Sequence, residues 1–551
     1  MSKRRQPLSP DAPLLHADHA RPVTRRDFLR QGFISGSGIV LGGSLFSLFA
    51  DPRAAQAALS GDLTSLASSL RPDASDPTAP CSLGGAGTGI PFICFDLAGG
   101  ANMVGSNVLV GGQDGYLNSP LSTAGYSKMG IPGDMVPGLV EATPSATSNG
   151  DFTDTTLGLP FHSDSAFLRG ILERINIATT APFINGAVIP ARSDNDTSSN
   201  PHNPMYGIAR TGSDGSIVTL IGSVNSDSGG NSVARPDLIN SSIRPTKVDR
   251  PSDVTGMVDT GNLTAVLSDP ADVKAVMESV VRISDKKIGY VNTKVTADAV
   301  IKDLLDCGYL KAADIADRFA GVNINPAEDT AIVDPTNSGN AIFNQNEFDG
   351  DSEFRKTASV MKMVIDGYAG AGTISMGGYD YHTGDRATGE QRDLRAGRCI
   401  GACLQYAAIR QQPLMIYVFS DGSLASNGSV DNSTNGRGKG VWTGDNSSTA
   451  ASFFLVINPP RLSNPGGRPT LLSPAPDGVS IHKQVGWFRT SDGSVLTSSS
   501  PAANNVNLLV DVVLLNYLAL SGRQGEFSTL FGNSLGNSTA MDALTAFSKI
   551  T

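Results

Sequence analysis

The stretch PLMIYVFSDG (413–422) sets six apolar residues in a row, Leu414 to Phe419, between a proline and the polar ending Ser420-Asp421-Gly422. The run is short and shows no alternation of apolar and polar positions, so it reads as a strand covered on both faces. PFICFDLAGG (91–100) has the same build, with Asp96 near its end and glycines behind it. Further short apolar strands read at 186–189, IVTLIGSV (217–224), TISM (373–376) and FFLVIN (453–458). Helical periodicity falls between them, in SAFLRGILERI (165–175), PADVKAVMESVVRI (270–283), ADAVIKDLLDCGYL (297–310), DSEFRKTASVMKMVIDGY (351–368), GEQRDLRAGRCIGACLQYAAIRQQ (389–412) and VDVVLLNYLAL (510–520). Strands alternating with helices predict an α/β fold, a mostly parallel central sheet with helices on both faces. The expected organisation is one large domain over 91–551, with long Gly/Ser/Asn loops at 191–236 and 422–450, preceded by a flexible Ser/Pro/Gly/Ala-rich linker over 58–90.

The N-terminus predicts export. TRRDFLR (24–30) is a twin-arginine motif, FISGSGIVLGGSLFSLFA (33–50) is a mild apolar stretch behind it, and Ala55-Gln56-Ala57 is a small-residue cleavage site. A membrane anchor is the alternative for 33–50, but glycines and serines leave the stretch weakly hydrophobic at about the minimum length for a span. Residues 1–57 are thus expected to be a signal peptide. The twin-arginine translocation machinery is then the partner during export, and the product is periplasmic or secreted, with no stable transmembrane segment after cleavage. Of the 42 basic and 52 acidic residues, eight basic and four acidic leave with the signal, so the net charge moves from −10 to −14. An acidic body without Lys/Arg runs excludes a nucleic-acid partner. All five cysteines survive cleavage, so in an oxidising compartment at least one is free or paired with another chain. Cys399 and Cys403 stack on one face of a predicted helix and read as buried apolar thiols.

In parallel α/β sheets ligands gather at the carboxyl ends of the strands. Four polar clusters fall there: Asp96; Asp194, Asp196 and His202; Asp380 and His382 in SMGGYDYHTGD (375–385); and Asp421. Carboxylate and imidazole suit a divalent metal such as zinc, manganese or calcium. Acids in such loops are more often turn formers or helix caps than ligands. Asp380 and His382 stand apart because Gly377-Gly378 permit close backbone approach beside them. Only four histidines remain after cleavage (His162, His202, His382 and His482), which favours a carboxylate-dominated site. Ser106 is the best-placed hydroxyl for a nucleophile after the first strand, with a turn serine as its other reading. No GxSxG elbow, Walker A motif or GxGxxG spacing is present.

In order along the chain, these pieces resemble the exported bacterial "domain of unknown function 1501" family, itself similar to the alkaline phosphatase and sulfatase fold. DLAGGAN (96–102) resembles the family's LRGGAD, and the polar loop ending in GIARTG (207–212) its RSHFDAQDYWETG-like segment. GGYDYH (377–382) resembles GGWDTH, and YVFSDG (417–422) resembles TFSEFG. VDVVLLNYLALSGRQGEFSTLFG (510–532) is similar to the closing helix and FPG-like ending. The resemblance spans most of 92–535. It implies an alkaline phosphatase-like architecture, metal-site roles for Asp380, His382 and Asp421, with His202 near the position of the family's loop histidine, and a nucleophile position at Ser106. The chain also departs from the pattern. Asn102 stands where the family usually has Asp, and in place of GTDHG it has GRGKG (436–440) followed by Asp445, with no histidine.

Two readings follow. One is metal-assisted hydrolysis of a phosphate or sulfate ester, with Asp380, His382 and Asp421 holding the ion and Ser106 or a water attacking. The other is a non-catalytic binding or assembly protein of the cell envelope with a degenerate metal site. Convergence of Asp380, His382, Asp421 and one further ligand beside a hydroxyl would separate them.

Overall fold

Alternation along Phe92–Gly99 (β1) sends Phe92 and Cys94 to one face of the sheet and Ile93, Phe95 and Leu97 to the other. Leu414–Phe419 (the strand opened on above, β6 below) divides in the same way, with Ile416 and Val418 opposite Met415, Tyr417 and Phe419. Both faces being covered is what makes these strands read as continuous apolar runs. The computed structural model describes residues 59–551 except 73–79, 82, 85–86, 194–199, 201, 260–262, 268, 337, 340, 463 and 473–482. The expected signal peptide, Asp194, Asp196 and His482 lie outside the described residues.

The central sheet has seven strands: β1, Ile184–Pro190 (β2), Val218–Gly222 (β3), Thr246–Lys247 (β4), Ala369–Tyr379 (β5), Leu414–Phe419 (β6) and, after a hairpin of Leu424–Asp431 (β7) and Lys439–Asp445 (β8), Ala451–Ile457 (β9). Their order is β2-β9-β6-β1-β5-β3-β4. Only β9 runs against its neighbours, so the other six point the same way and the mostly parallel sheet stands. Asp96 on β1 lies level with Ser375 on β5 and Phe419 on β6.

One face is covered by Ala166–Leu172, Ser352–Ile365 and Arg386–Ile409, the other by Met205–Arg210 and Val506–Leu520. The helices at 166–172 and 386–409 cross very closely, because a Cβ on Gly170 would stand 2.2 Å from Leu394 O and one on Gly397 2.3 Å from Phe167 O. Cys399 and Cys403 are buried free thiols in this layer, as expected. Among the described residues no helix is long and apolar enough to cross a membrane.

Two stretches depart from the sequence reading. Within 58–90, expected as a flexible linker, Gly61–Ser69 is a helix (α1). Its neighbours Leu59 and Leu70, with Leu63 and Ala67, bury against Pro270–Gly289 (α4) and Asp298–Arg318 (α5), forming a third small core with Val273, Met277, Val281 and Leu310. The four-residue spacing of Leu59, Leu63 and Ala67 is a helical stripe that the surrounding serines and alanines dilute. A disulfide between Cys81 and Cys307 closes this unit. The second departure is 422–450, expected as a loop, where β7 and β8 pair antiparallel. (Labels α2 and α3 denote the helices at 166–172 and 205–210; α6, α7 and α8 denote those at 352–365, 386–409 and 506–520.)

The disulfide generates a test. Unreduced protein should resist alkylation when native and take up three labels, at Cys94, Cys399 and Cys403, when denatured. The double variant Cys81→Ser/Cys307→Ser should lose about 2–4 kcal/mol of unfolding free energy, with hydrogen exchange rising first at 61–69.

Candidate metal centre

β5 ends at Tyr379, and the next residues alternate between core and solvent. Tyr379 is buried, its hydroxyl donating to Arg392 O at 3.0 Å, and Tyr381 is buried, its hydroxyl donating to Asp393 Oδ1 at 2.9 Å. With both tyrosines sunk against α7, Asp380 and His382 turn outward at the carboxyl edge of the sheet. Gly99 makes this approach possible: its φ is 134°, and a Cβ there would meet Asp380 N at 2.4 Å. Gly378 adopts φ 89° under the Arg392 guanidinium, whereas Gly377 has open space around it.

A third ligand comes from the hairpin. His382 Nε2 lies 2.8 Å from Asp380 Oδ1 and 3.9 Å from Asp445 Oδ2, and one ligand atom from each residue falls within 4.8 Å of the others. Donors sharing one zinc ion at about 2.1 Å sit about 3.4 Å apart, so the two contacts straddle the required spacing. The donor set suits zinc or manganese better than calcium, which takes six to eight oxygens. The side chains are 61%, 30% and 48% exposed for Asp380, His382 and Asp445, leaving solvent room for further ligands.

The hairpin that carries Asp445 is fastened from below. Lys439, at the start of β8, is buried, with Nζ 2.9 Å from Glu390 Oε1 and 3.2 Å from Asp164 Oδ2. Arg386 reaches Glu390 Oε1 at 2.6 Å and lies over the Trp442 ring at 4.7 Å, while Gly384 N donates to Trp442 O at 2.7 Å. The hairpin and the 380–385 turn are thereby fastened to one another and to the first turns of α7. Burial raises the Glu390 and Asp164 carboxyls, but Lys439 with Arg386 and Arg169 around Glu390, and Lys439 with Arg437 and Arg169 around Asp164, more than offset it. Both stay below the ordinary carboxylate range.

The other expected site residues lie elsewhere. Asp421 is fully buried; its Oδ1 accepts from Gly99 N at 3.0 Å, and its carbonyl accepts from Asn200 Nδ2 at 3.2 Å and from the Ser193 hydroxyl. It is not in the group with Asp380 and His382. His202 is buried with its ring parallel to Phe419 at 5.6 Å and its Nδ1 unpartnered; burial pushes its pKa down to about 3, so the imidazole is neutral. Ser106 is buried and donates to Asn102 Oδ1 at 3.0 Å, facing the interior instead of the cluster. Asp96 is buried and satisfied by Asn231 N at 2.7 Å, Ser232 N at 2.9 Å and Ser232 Oγ at 3.0 Å. Burial raises its pKa to about 6 against those bonds, with the nearby Asp421 charge adding to the rise.

Asp393 escaped the sequence reading. It sits on the buried face of α7 and accepts from Tyr381 and from Asn107 Nδ2 at 3.0 Å, and burial lifts its pKa to about 7. Its signal was an acid one turn from Glu390 and at apolar spacing to Ala396, Gly397 and Ile400.

Two outcomes are expected here. The native state holds a proton on Asp393 more tightly than the unfolded chain does, so this residue's contribution to stability falls as pH rises from about 4 to 7. His162 and His202, depressed to about 4 and about 3, act in the opposite sense over that range. The difference between parent and Asp393→Asn isolates the acid: melting scans should show the parent's advantage shrinking by on the order of a few degrees between pH 4.5 and 7.5, and an unchanged difference would contradict the assignment. Separately, Glu390→Gln leaves the buried Arg386 without its ion pair and Lys439 with Asp164 alone, and should cost roughly 3–5 kcal/mol, with hydrogen exchange quickening first in 424–445.

No family model, no curated protein and no solved structure matches the chain.

Proposed function

We propose that this chain is an exported protein of the bacterial cell envelope, periplasmic or secreted, that binds one divalent transition metal through Asp380, His382 and Asp445 and does not carry a two-metal hydrolytic centre. The reading rests on one observation: these three side chains place ligand atoms within 4.8 Å at the carboxyl edge, while Ser106, Asp421 and His202 are buried and turned to other partners. Export is supported by the twin-arginine motif and by the Cys81–Cys307 disulfide, which suits an oxidising compartment. An alkaline phosphatase-like architecture is supported by the resemblance of the motifs at 96–102, 377–382 and 417–422 to the "domain of unknown function 1501" family and by a mostly parallel sheet with helices on both faces, and in this reading part of that family's centre is replaced. The twin-arginine translocation machinery is the partner during export.

A second reading, ester hydrolysis, is favoured by the site's openness. Asp380, His382 and Asp445 would hold a zinc or manganese ion with its solvent side open, and such an ion would supply a Lewis acid for an ester and acidify a water. Since Ser106 faces the interior, the water would be the nucleophile on a phosphate or sulfate ester.

Metal content by mass spectrometry and calorimetric titration with zinc and manganese test both readings. The parent should hold or take up one equivalent, Asp380→Ala/His382→Ala none, and Asp445→Ala should bind on the order of 10- to 100-fold more weakly, while Asp421→Ala, if folded, keeps the site. Folded protein that takes up neither metal overturns the assignment. Metal-dependent cleavage of a nitrophenyl phosphate or sulfate, lost in Asp445→Ala, would select the hydrolase.

A further inference from the structure

The pair of helices α4 and α5 carries a surface that the metal reading leaves unused. The last turn of α4 and the connection to α5, Lys286 to Ala297, read KKIGYVNTKVTA and contain three lysines, between Asp285 and Asp298, in a chain whose net charge is −10. Lys286, Lys287 and Lys294 are all exposed, and among the described residues none of them forms an ion pair. Between them stand exposed apolar side chains: Tyr290 is 83% exposed, and Val291 and Val295 are each 51% exposed. Two turns back from the tip, Ile283 on α4 and Leu304 on α5 are also exposed. The core of this unit is made by other positions, Val273, Met277, Val281 and Leu310, so the tip residues are not needed to hold the helices together.

The base of the unit is tied to the amino edge of the sheet. Arg318, at the end of α5, donates to Ser216 O at 2.8 Å and pairs with Asp314 at 2.6 Å, just before β3 begins. A helix of 21 residues is about 30 Å long, and α5 has that length, so the tip is carried well away from the sheet. The chain from the N-terminus enters the fold on the same unit: Ser60 N donates to Glu278 Oε1 at 2.9 Å, and Arg282 Nε lies 2.7 Å from Asp62 Oδ2. The point of entry is thus about two turns of α4 from the tip.

We infer that the α4–α5 tip is a peripheral membrane contact, which lays Tyr290, Val291 and Val295 into the headgroup region of an anionic bilayer while Lys286, Lys287 and Lys294 pair with its phosphates. Lysines flanking a small cluster of valines and a tyrosine are the composition of an interfacial anchor, since the tyrosine has an apolar ring and a polar end and the lysines are drawn by the surface potential. Charge complementarity selects this occupant: a second copy of the chain would bring the same three lysines against these. The contact is reversible and shallow, because three side chains bury too little apolar area for stable anchoring without the charge term. It is independent of the metal site, which lies on the opposite edge of the sheet.

The test places a reporter on the tip. Val291→Cys can be labelled selectively, because Cys94, Cys399 and Cys403 are buried and Cys81 and Cys307 are joined. With a polarity-sensitive fluorophore at 291 in the full chain, vesicles of phosphatidylglycerol and phosphatidylcholine should shift the emission to the blue. Salt at about 0.5 M should reverse the shift, the Debye length there being only a few ångströms. Adding Lys286→Ser/Lys287→Ser/Lys294→Ser should raise the lipid concentration for half-response on the order of 100-fold. A reporter at 291 separates tip insertion from any binding by residues 33–50, which would leave its emission unchanged. No shift with anionic vesicles overturns the inference, as does an equal shift with phosphatidylcholine alone. A shift that follows protein concentration without lipid overturns it in favour of a second copy.

Discussion

The Lys439 ammonium, buried between Glu390 and Asp164, is the contact on which the geometry of the carboxyl edge depends. It joins three elements that are distant in sequence: the hairpin strand β8, the first turns of α7, and the residue just ahead of α2. Arg169, Arg386 and Arg437 complete the network, so four cations face two carboxylates. That excess of positive charge keeps both acids ionised despite burial. Removing Glu390 leaves Arg386 charged and without its ion pair in a medium that solvates it poorly, which is far more damaging than the pair is stabilising. Because Trp442 packs under Arg386 in the same hairpin, the charge network and the apolar packing fail together.

Acids at the carboxyl edge serve two different purposes here. Asp96 and Asp421 end buried, Asp96 accepting from backbone N–H groups of the loop that follows β3 and Asp421 from the last residue of β1. The repulsion between them raises the Asp96 pKa, and the two N–H groups and one hydroxyl that donate to Asp96 oppose that rise. Asp380 and Asp445 end exposed and are aimed at the same histidine. After β6 the chain turns Asp421 inward, whereas after β5 the buried tyrosines on either side of Asp380 turn it into solvent.

Much of the fold was legible. The unbroken apolar runs at 92–97 and 414–419 fix strands covered on both faces, and periodicity located α6, α7 and α8 to within a few residues of their observed bounds. Asp380 and His382 were legible as a pair because a strand end and adjacent glycines limit where they can point. Asp445 was noticed only as the acid beyond GRGKG, since the hairpin that carries it is half-exposed and rich in Ser, Asn and Gly, which removes the alternation a strand needs to be recognised. Helix α1 was hidden for a similar reason: its apolar stripe is only four residues deep among serines. Asp421 and His202 were misplaced because position at a strand end specifies the neighbourhood of a side chain and leaves its rotamer, hence its partner, undetermined.

The sheet gives the molecule two ends with different chemistry. Its carboxyl edge holds an open cluster of carboxylate and imidazole, fastened to a rigid network. Its amino edge carries α4 and α5, whose apolar and basic tip stands clear of the core. A cation bound by Asp380, His382 and Asp445 would cross-link the turn after β5 to the hairpin, adding a covalent-like tie to the one that Lys439 already makes beneath it. Binding and hairpin order are then linked: whatever loosens Lys439 must weaken the cation's hold by the same free energy with which the cation tightens the hairpin. The α4–α5 tip shares no contact with that network, so the two ends can act at once, one facing a lipid surface and the other open to solutes on the far side of the sheet.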